Sequence, residues 1–468
     1  MTSPYQFAHD AFAARLRESF DHLAPGEESG EVVRVAGRVM LLRTQGRVAF
    51  ATLRDSSGEV QLFSLETTTE GYEAFTRLHL GDWVGAMGEV VRTRRGELSV
   101  KVLTWAVLAE AQRTFGEKWA GITDVELRYR HREADLWANE TTRASLRRRS
   151  EVVRALREHC WAQGFMEVET PILNLVPTGA AARPFVTFHN ALNSEFFLRI
   201  APELWLKRLV VGGFERVFEL GRVFRNEGVS PRHNPEFTML ELYAAYWDYA
   251  DMMRFTEELV AGAVASVAGT TEVVYQGRAV SFATPWARRP MAELVSGALG
   301  EEVSVRTPRA TLAERLAERG VEVADSWGAG RCVLELFEHL CEGDLWAPTF
   351  VTDYPVEVSP LARRHRGDPE LTERFEAFVT GRELANGFSE LNDPVEQRAR
   401  FEDQARLAAA GEDETMSIDE DYIASLEWGL PPTAGLGVGV DRLAMVVADA
   451  ANIREVIAFP TLKPRRDG

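Results

Sequence analysis

Between Gly435 and Arg442 the chain reads Gly-Leu-Gly-Val-Gly-Val-Asp-Arg. Side chains of an extended strand alternate between its two faces. Glycine at every second position therefore gives a strand with one apolar face and one face carrying no side chains, on which a flat ligand can lie against the backbone. Tight packing of a strand on a helix also selects glycine, so the pattern fixes a geometry before it fixes a purpose. Arg442 falls where a helix begins, and its guanidinium is suited to stack on an aromatic base or to meet a phosphate.

Two further runs alternate in the same way. In Asn386-Gly-Phe388-Ser-Glu390 an extended backbone puts the amide, the ring and the carboxylate on one face, and in Met239-Leu-Glu241-Leu-Tyr243 it does the same for Glu241 and Tyr243. Acids set among Met, Leu and Phe in inner strands are costly to bury without a cation. A pocket for a cationic ligand answers that cost, and so does a salt bridge inside the protein; the runs alone leave both open. A third segment, Phe224-Arg225-Asn226-Glu227-Gly228 and then Arg232-His233-Asn234-Pro235-Glu236-Phe237, links two strand-like runs. Its arginines and histidine suit a triphosphate, and Phe237 offers a stacking platform. Neither GxxxxGK[ST] nor GxGxxG occurs, so phosphate binding must rest on these side chains.

Upstream, residues 31–108 read as short strands. Val33, Val35 and Val39 share a face, as do Val48, Phe50 and Thr52, and then Leu98, Val100 and Val102, with turns at Asp55–Gly58 and Arg94–Gly96. Several short strands without a long helix predict a small barrel, the oligonucleotide-binding (OB) barrel among the options. Residues 1–30 precede it as an extension, and 109–140, where the periodicity is lost, read as a linker. A helix is expected over 145–163, with Val152, Leu156 and Cys160 spaced four apart and Val153 and Trp161 alongside. The rest, to residue 468, is a second domain of mixed strands and helices, mainly helical over 250–350.

A chain of 468 residues exceeds one compact core. With 45% hydrophobic and 26% charged residues it has the composition of an ordinary globular protein. It contains no run of about 18 apolar residues that would span a membrane, and its start lacks the basic flank and apolar run of an export signal. Cys160, Cys332 and Cys341 are too few and too scattered for a disulfide framework or a zinc site, so reduced thiols and a cytoplasmic location are expected. A net charge of -18 argues against indiscriminate binding to nucleic acid, DNA included. It leaves tRNA open, because the charge is uneven: six arginines lie between Arg143 and Arg157, whereas the six acids between Gly411 and Tyr422 read as a solvated face.

Taken together, these segments resemble the three signature motifs of class II aminoacyl-tRNA synthetases. Gly164-Phe-Met-Glu-Val-Glu-Thr-Pro171 is similar to motif 1, which builds the dimer interface in that class. Arg225 to Phe237 is similar to motif 2, and Gly435 to Arg442 to motif 3. Within the class, Arg199-Ile-Ala-Pro-Glu-Leu-Trp-Leu-Lys-Arg208, Asn386 to Asn392 and Pro431-Pro-Thr-Ala-Gly435 resemble the lysine-specific enzymes rather than those for aspartate or asparagine. The likeness runs from about Val33 to Pro464 and is weakest around 265–345.

The resemblance implies an α+β protein: an N-terminal OB-fold β-barrel that binds the anticodon, then a class II catalytic domain on a mixed, mainly antiparallel sheet flanked by helices. It implies a homodimer that ligates L-lysine to tRNA(Lys) through a lysyl-adenylate, with ATP as substrate and Mg2+ as cofactor. Glu390, Tyr243 and Glu241 would hold the side-chain ammonium of lysine. Glu203 and the Gly179 backbone would hold the α-amino group, and Phe388 would pack on the aliphatic stem. Arg225, assisted by Asn386, would bridge the lysine carboxylate and the α-phosphate. Glu227 and Asn234 would read the adenine edge, Phe237 and Arg442 would sandwich its ring, and Arg232 and His233 would take the outer phosphates. Glu376 and Glu383 match the magnesium-binding carboxylates, and Arg43, Phe50, Gln61 and Glu97 match positions that recognise a U-rich anticodon.

Three departures from the family pattern stand out. The segment Arg128-Tyr-Arg-His-Arg-Glu-Ala-Asp135 replaces a more tyrosine-rich run, Thr178 stands where a second glycine is common beside Gly179, and Ala385 replaces a usual glycine before Asn386. They keep two rival readings in view: a lysyl-adenylate-forming paralogue that transfers to a non-tRNA acceptor, and a non-catalytic nucleic-acid-binding protein on an OB barrel.

Overall fold

The computed structural model describes residues 4–113, 122–177, 179–411 and 415–464. Thr178, three acids of the 411–422 run and part of the expected linker lie outside the described residues. The chain divides into two compact units, Met1–Arg128 and Tyr129–Gly468.

In the first unit, helix α1 (Ala13–Phe20) precedes strands β1 (Glu28–Gln45), β2 (Val48–Arg54), β3 (Glu59–Leu65), β4 (Trp83–Arg92) and β5 (Leu98–Ala109). They close in the order β1-β2-β3-β5-β4, with β3 and β5 parallel and the other pairs antiparallel. This is the OB barrel. Its interior is filled by Val35, Val39, Ala49, Ala51, Leu53, Leu62, Val84 and Val100. Along β2 the buried face is Ala49-Ala51-Leu53, so the Val48-Phe50-Thr52 face read from the sequence is the outer one.

Two short helices, Val125–Arg130 and Arg132–Ala138, occupy the end of the segment read as a linker. Arg132 and Asp135 form a buried ion pair at 2.8 Å, and Arg132 also donates to the carbonyls of Arg454 and Ala458. The departure at Arg128–Asp135 thus anchors the C-terminal segment through the Arg132 guanidinium, which bonds its carbonyls.

In the second unit, α2 (Glu140–Ala162) leads to β6 (Met166–Glu167) and then to β7 (Leu173–Asn174), β8 (Val186–His189) and β9 (Ser194–Leu198), which form a separate three-stranded sheet. There follow α3 (Glu203–Val211), the hairpin β10 (Arg216–Phe224) and β11 (Glu236–Ala245), and α4 (Tyr249–Ala268). Next come β12 (Glu272–Tyr275), β13 (Arg278–Ser281), β14 (Ala287–Pro290), α5 (Met291–Leu299), α6 (Arg309–Ala317), α7 (Ala329–Leu340) and β15 (Thr349–Thr352). The unit ends with β16 (Arg374–Phe378), β17 (Glu383–Ser389), α8 (Pro394–Ala409), α9 (Glu420–Glu427), β18 (Thr433–Gly439) and α10 (Val440–Ala448).

The large sheet has the order β14-β15-β16-β17-β18-β11-β10-β6 and is parallel only at its two ends. One face of it, with Leu240, Leu242, Ala385, Leu436 and Val438, packs on α2, α4 and α10 through Val152, Leu156, Cys160, Leu259, Leu443 and others. Burying each of these Leu or Val side chains is worth roughly 1.5–3 kcal/mol, which is what fixes the register. Ala385 lies in this core, so its methyl group never meets the other face. Trp161, placed beside the core helix face by its spacing, is instead half exposed, with its ring edge-on to Phe218. Helix α4 starts on a capping box at Asp248 and stops at Gly269 in the left-handed region, φ +75°.

The stretch 250–350 is mainly helical as expected, yet it also holds the hairpin β12–β13. There Gln276 and Gly277 both take positive φ, the conformation that a two-residue turn matching strand twist requires.

Candidate active site

Strand register builds the other face of the large sheet. Glu241 of β11 pairs across to Gly437 of β18, Gly437 to Asn386 of β17, and Asn386 to Glu376 of β16. One step along, Tyr243, Gly435, Phe388 and Arg374 form a second row. The glycines of β18 are a floor between an acidic strand and an amide-bearing one, with a cleft above. A methyl group at Gly435 would come within 2.2 Å of Glu390 Oε1 and 2.4 Å of the Tyr243 ring. At Gly437 the nearest neighbour, Met239, stands 3.1 Å away. Close approach thus demands glycine most strongly at 435.

The loop joining β10 to β11 forms one wall. Arg225 opens it, its backbone N–H donating to Pro235 O, and its guanidinium lies 5.3 Å from the centre of the Phe237 ring. Arg225 Nε is buried without a hydrogen-bond partner. Glu227, Arg232 and His233 line the same cleft from exposed positions. Desolvation of the ring in the cleft, and then the positive field of Arg442, hold the His233 pKa below the ordinary imidazole value. Asn234 also lines the cleft, but its amide donates to Glu236 O at 2.6 Å and accepts from Thr461 N at 3.2 Å, so it braces the loop against the C-terminal segment.

Arg442 stands on the first turn of α10. That turn is fixed by its neighbour Asp441, which is buried and accepts from Thr238 N at 2.7 Å and from Arg149 Nε at 2.9 Å. Arg149 belongs to the arginine-rich run and is taken up by this contact, and Arg157 of the same run pairs with Glu167 from a partly exposed position. Arg442 donates to the backbone and carboxylate of Glu383. Arg374 holds Glu376 at 2.6 Å and Asn386 Oδ1 at 3.1 Å. Burial, reinforced by Glu383, pushes the Glu376 carboxyl up to about 7, against Arg374. Burial alone would raise Glu383 as well, but Arg442 and Arg225 hold it below the ordinary carboxylate range. Arg374, which the sequence reading passed over, is the residue that joins the Glu376 end of the cleft to Asn386.

At the other end lie the acids. Gly179, with φ +93° and the Ala201 carbonyl 3.2 Å from where a Cβ would be, brings its backbone to the cleft beside Glu203. Glu241 is buried and its Oε2 has no partner. Burial, and then Glu203, push its carboxyl well above the usual value. Glu390 is 1% exposed and does not line the open cleft, yet its Oε1, also unpartnered, lies against the bare face of Gly435, which does. Its Oε2 accepts from Lys207 Nζ at 2.7 Å. Burial pushes Glu390 up to about 8, opposed by Lys207 and aided by Glu203. Both ways of settling a buried acid are therefore present in one carboxylate: an internal salt bridge on one oxygen and an open acceptor on the other.

In the first unit, Arg43 of β1, Phe50 of β2, Phe63 of β3 and Lys101 of β5 lie in one row across the barrel. Phe50 faces outward, half buried, its ring stacked on Phe63 at 5.3 Å and 9°. Gln61 lies two residues from Phe63 on the same strand face and donates to Ser99 Oγ at 2.9 Å, and exposed Glu97 stands just before β5. The four residues expected at the anticodon are thus neighbours on one outer face. Phe63 joins them, a residue that the alternation of β3 would have found.

The cleft thus sets arginines toward one end and acids toward the other, on the bare face of a mainly antiparallel sheet. The family model described as tRNA synthetases class II (D, K and N) matches residues 124–463, and an OB-fold nucleic acid binding domain matches residues 33–108. Similar proteins include the lysine--tRNA ligase of Carboxydothermus hydrogenoformans, 47% identical over 99% of this chain and 94% of its own length. Those of Synechococcus sp. (strain CC9605), 50% identical over 96% and 91%, and of Aromatoleum aromaticum, 48% identical over 98% and 93%, are equally near. The chain belongs to the lysine--tRNA ligase family of class II tRNA synthetases.

Proposed function

We propose that the protein ligates L-lysine to tRNA(Lys) in two steps, forming lysyl-adenylate from lysine and ATP and then esterifying the tRNA terminus. The observation that carries this reading is an unpartnered acidic oxygen of Glu241 in the arginine-lined cleft, with a second, on Glu390, against the Gly435 floor of that cleft. An aspartate-specific pocket would need cations where this one has acids. Glu390, Tyr243 and Glu241 receive the side-chain ammonium, Glu203 and the Gly179 backbone the α-amino group, and Phe388 packs on the stem.

Arg225 and Asn386 set the lysine carboxylate in line with the α-phosphorus, and pyrophosphate leaves. Positioning and charge neutralisation suffice for that step, so no protein nucleophile is required. Phe237 and Arg442 hold the adenine ring, Glu227 and Asn234 lie at its edge, and Arg232 and His233 face the outer phosphates. Two hard carboxylates fit Mg2+ when phosphates complete its shell, so Glu376 and Glu383 would hold it there, where it would supply further charge neutralisation. The outer barrel face with Arg43, Phe50, Gln61 and Glu97 takes the anticodon bases. Exposed apolar side chains on the β7–β9 sheet, Leu173, Val186 and Phe188 among them, support a homodimer. No helix of the described residues is long and apolar enough to cross a membrane, and all three cysteines are free and buried, which fits a cytoplasmic enzyme.

Pyrophosphate exchange across the standard amino acids, followed by charging of tRNA(Lys), tests the reading. Exchange with lysine and subsequent charging is the expected result. Exchange without charging would point to the paralogue with another acceptor, and exchange with no amino acid would overturn the assignment as an enzyme.

A further inference from the structure

Lys207 plays no part in the reading of the site so far beyond its contact with Glu390. It lies on α3 one turn after Glu203 and has no exposed surface. Its Nζ donates to Glu203 Oε1 at 2.7 Å and to Glu390 Oε2 at 2.7 Å. The rings of Phe388 and Tyr422 stand 5.8 and 5.4 Å from it. Two acids assigned to the two ammonium groups of the substrate are therefore each half occupied by an ammonium group of the protein itself.

We infer that Lys207 is a positioning and specificity residue of the lysine pocket, holding one oxygen each of Glu203 and Glu390 so that each offers its ligand a single acceptor. The inference rests on the lysine reading above. A substrate ammonium is a point charge that one oxygen can bind, whereas a guanidinium gains most from a fork of two parallel bonds to both oxygens of one carboxylate. With Oε2 taken, Glu390 presents only Oε1, against Gly435, and the fork has nothing to close on. Lysine is thereby accepted and arginine, a cation of similar reach, refused. The same contact opposes the burial that drives Glu390 toward its neutral form. The titratable groups facing this charge are Glu203 on the same helix, Glu390 just past the end of β17 and Tyr422 from α9.

The test compares wild type with Lys207→Met, which keeps the length of the side chain and removes its charge. Pyrophosphate exchange is measured with lysine and with arginine between pH 6.5 and 9.5. Wild type is expected to use lysine and to activate arginine at less than a hundredth of the lysine rate. No lysine exchange in wild type would sink the functional reading itself, and ready activation of arginine would sink only the inference. In the variant the lysine KM should rise at least tenfold at pH 7.5 and recover toward pH 9.5, with the ATP KM within twofold of wild type. The preference for lysine over arginine should fall at least tenfold. An unchanged lysine KM and pH profile, or equal losses for lysine and ATP, would overturn the inference in favour of a purely structural lysine. Should a melting curve show that Lys207→Met does not fold, Lys207→Gln serves the same comparison, and the wild-type arginine rate decides independently.

Discussion

In the proposed lysine pocket, Glu390 offers the ligand a single atom. Its Oε1 is buried, unpartnered and directed at the glycine floor, so Glu390→Gln replaces a charged acceptor by a neutral amide at the closest point to the ligand. Losing a charged hydrogen bond of this kind costs about 1.5–3 kcal/mol, so at a pH where Glu390 is ionised the lysine KM should rise tenfold or more while the ATP KM changes little. An unchanged lysine KM in exchange kinetics would remove Glu390 from the pocket. Titration gives a second handle. Glu390 is raised to about 8, and only its ionised form attracts an ammonium, so binding is weak below that value and strengthens as pH rises through it. The lysine ammonium stays charged to about pH 10.4, so the lysine KM should fall by roughly tenfold from pH 7 to pH 9. A profile that is flat over that interval would show that no acid of this pocket titrates there. Arg225→Ala should abolish adenylate formation, because this side chain, over Phe237 and proposed to bridge the two reacting partners, would meet the charge of the transition state. Retention of more than a tenth of wild-type exchange would refute that role. Glu390, Glu241, Asn386 and Phe388 were legible as an alternating pattern because a strand exposes every second residue. Lys207 was not, because a lysine on a helix carries no periodic sign of being buried, and the partner that ties it to the pocket floor, Glu390, lies 183 residues away.

At the scale of elements, β2 shows what alternation can and cannot decide. The period of two is visible in Val48-Phe50-Thr52, but small Ala49 and Ala51 do not announce themselves as the inward face. Closure of the barrel settles it: the interior accepts alanines, and Phe50 turns outward to stack on Phe63. A core phenylalanine would lose about 3–5 kcal/mol of stability on truncation to alanine. Phe50→Ala should therefore leave the melting temperature nearly unchanged and act on tRNA instead. Removing one stacking platform costs roughly 1–3 kcal/mol, or about five- to 150-fold in charging kcat/KM. Exchange without tRNA should stay close to wild type, since no residue assigned to lysine or ATP lies in the barrel. A folded variant with unimpaired charging would end the anticodon assignment for this face. The hairpin β12–β13 escaped the sequence reading for a related reason: four-residue strands on either side of Gln276-Gly277 are too short to establish a period against the helices around them.

For the whole molecule, the class of fold was readable because motif order and strand alternation survive any arrangement of helices, whereas the surfaces that complete an assembly leave weaker traces. The β7–β9 sheet, which follows the Gly164–Pro171 segment, carries Val186 at 58% and Phe188 at 52% exposure, and the loops beside its strands carry Leu175 at 66% and Leu192 at 61%. Val186 and Phe188 lie two apart on one strand, so they share a face, and apolar side chains gathered in this way mark a surface that another protein covers. The proposed homodimer would bury them against a second copy of the chain, and a stable interface of ordinary size removes about 1,600 Å² from solvent. Replacing both Val186 and Phe188 by glutamate should split such a dimer, because each charge would have to be buried without a partner on joining. In the single chain both positions are exposed, and surface substitutions usually change stability by no more than about 0.5 kcal/mol, so the separated protein should keep its fold. Sedimentation equilibrium at micromolar concentration should find wild type at twice the chain mass and the double variant at the chain mass. The wild-type melting temperature should rise with protein concentration, as it does when association stabilises the folded state, while that of the variant should not. A wild type that sediments as a monomer, or a charged variant that remains a dimer, would place the interface elsewhere or remove it.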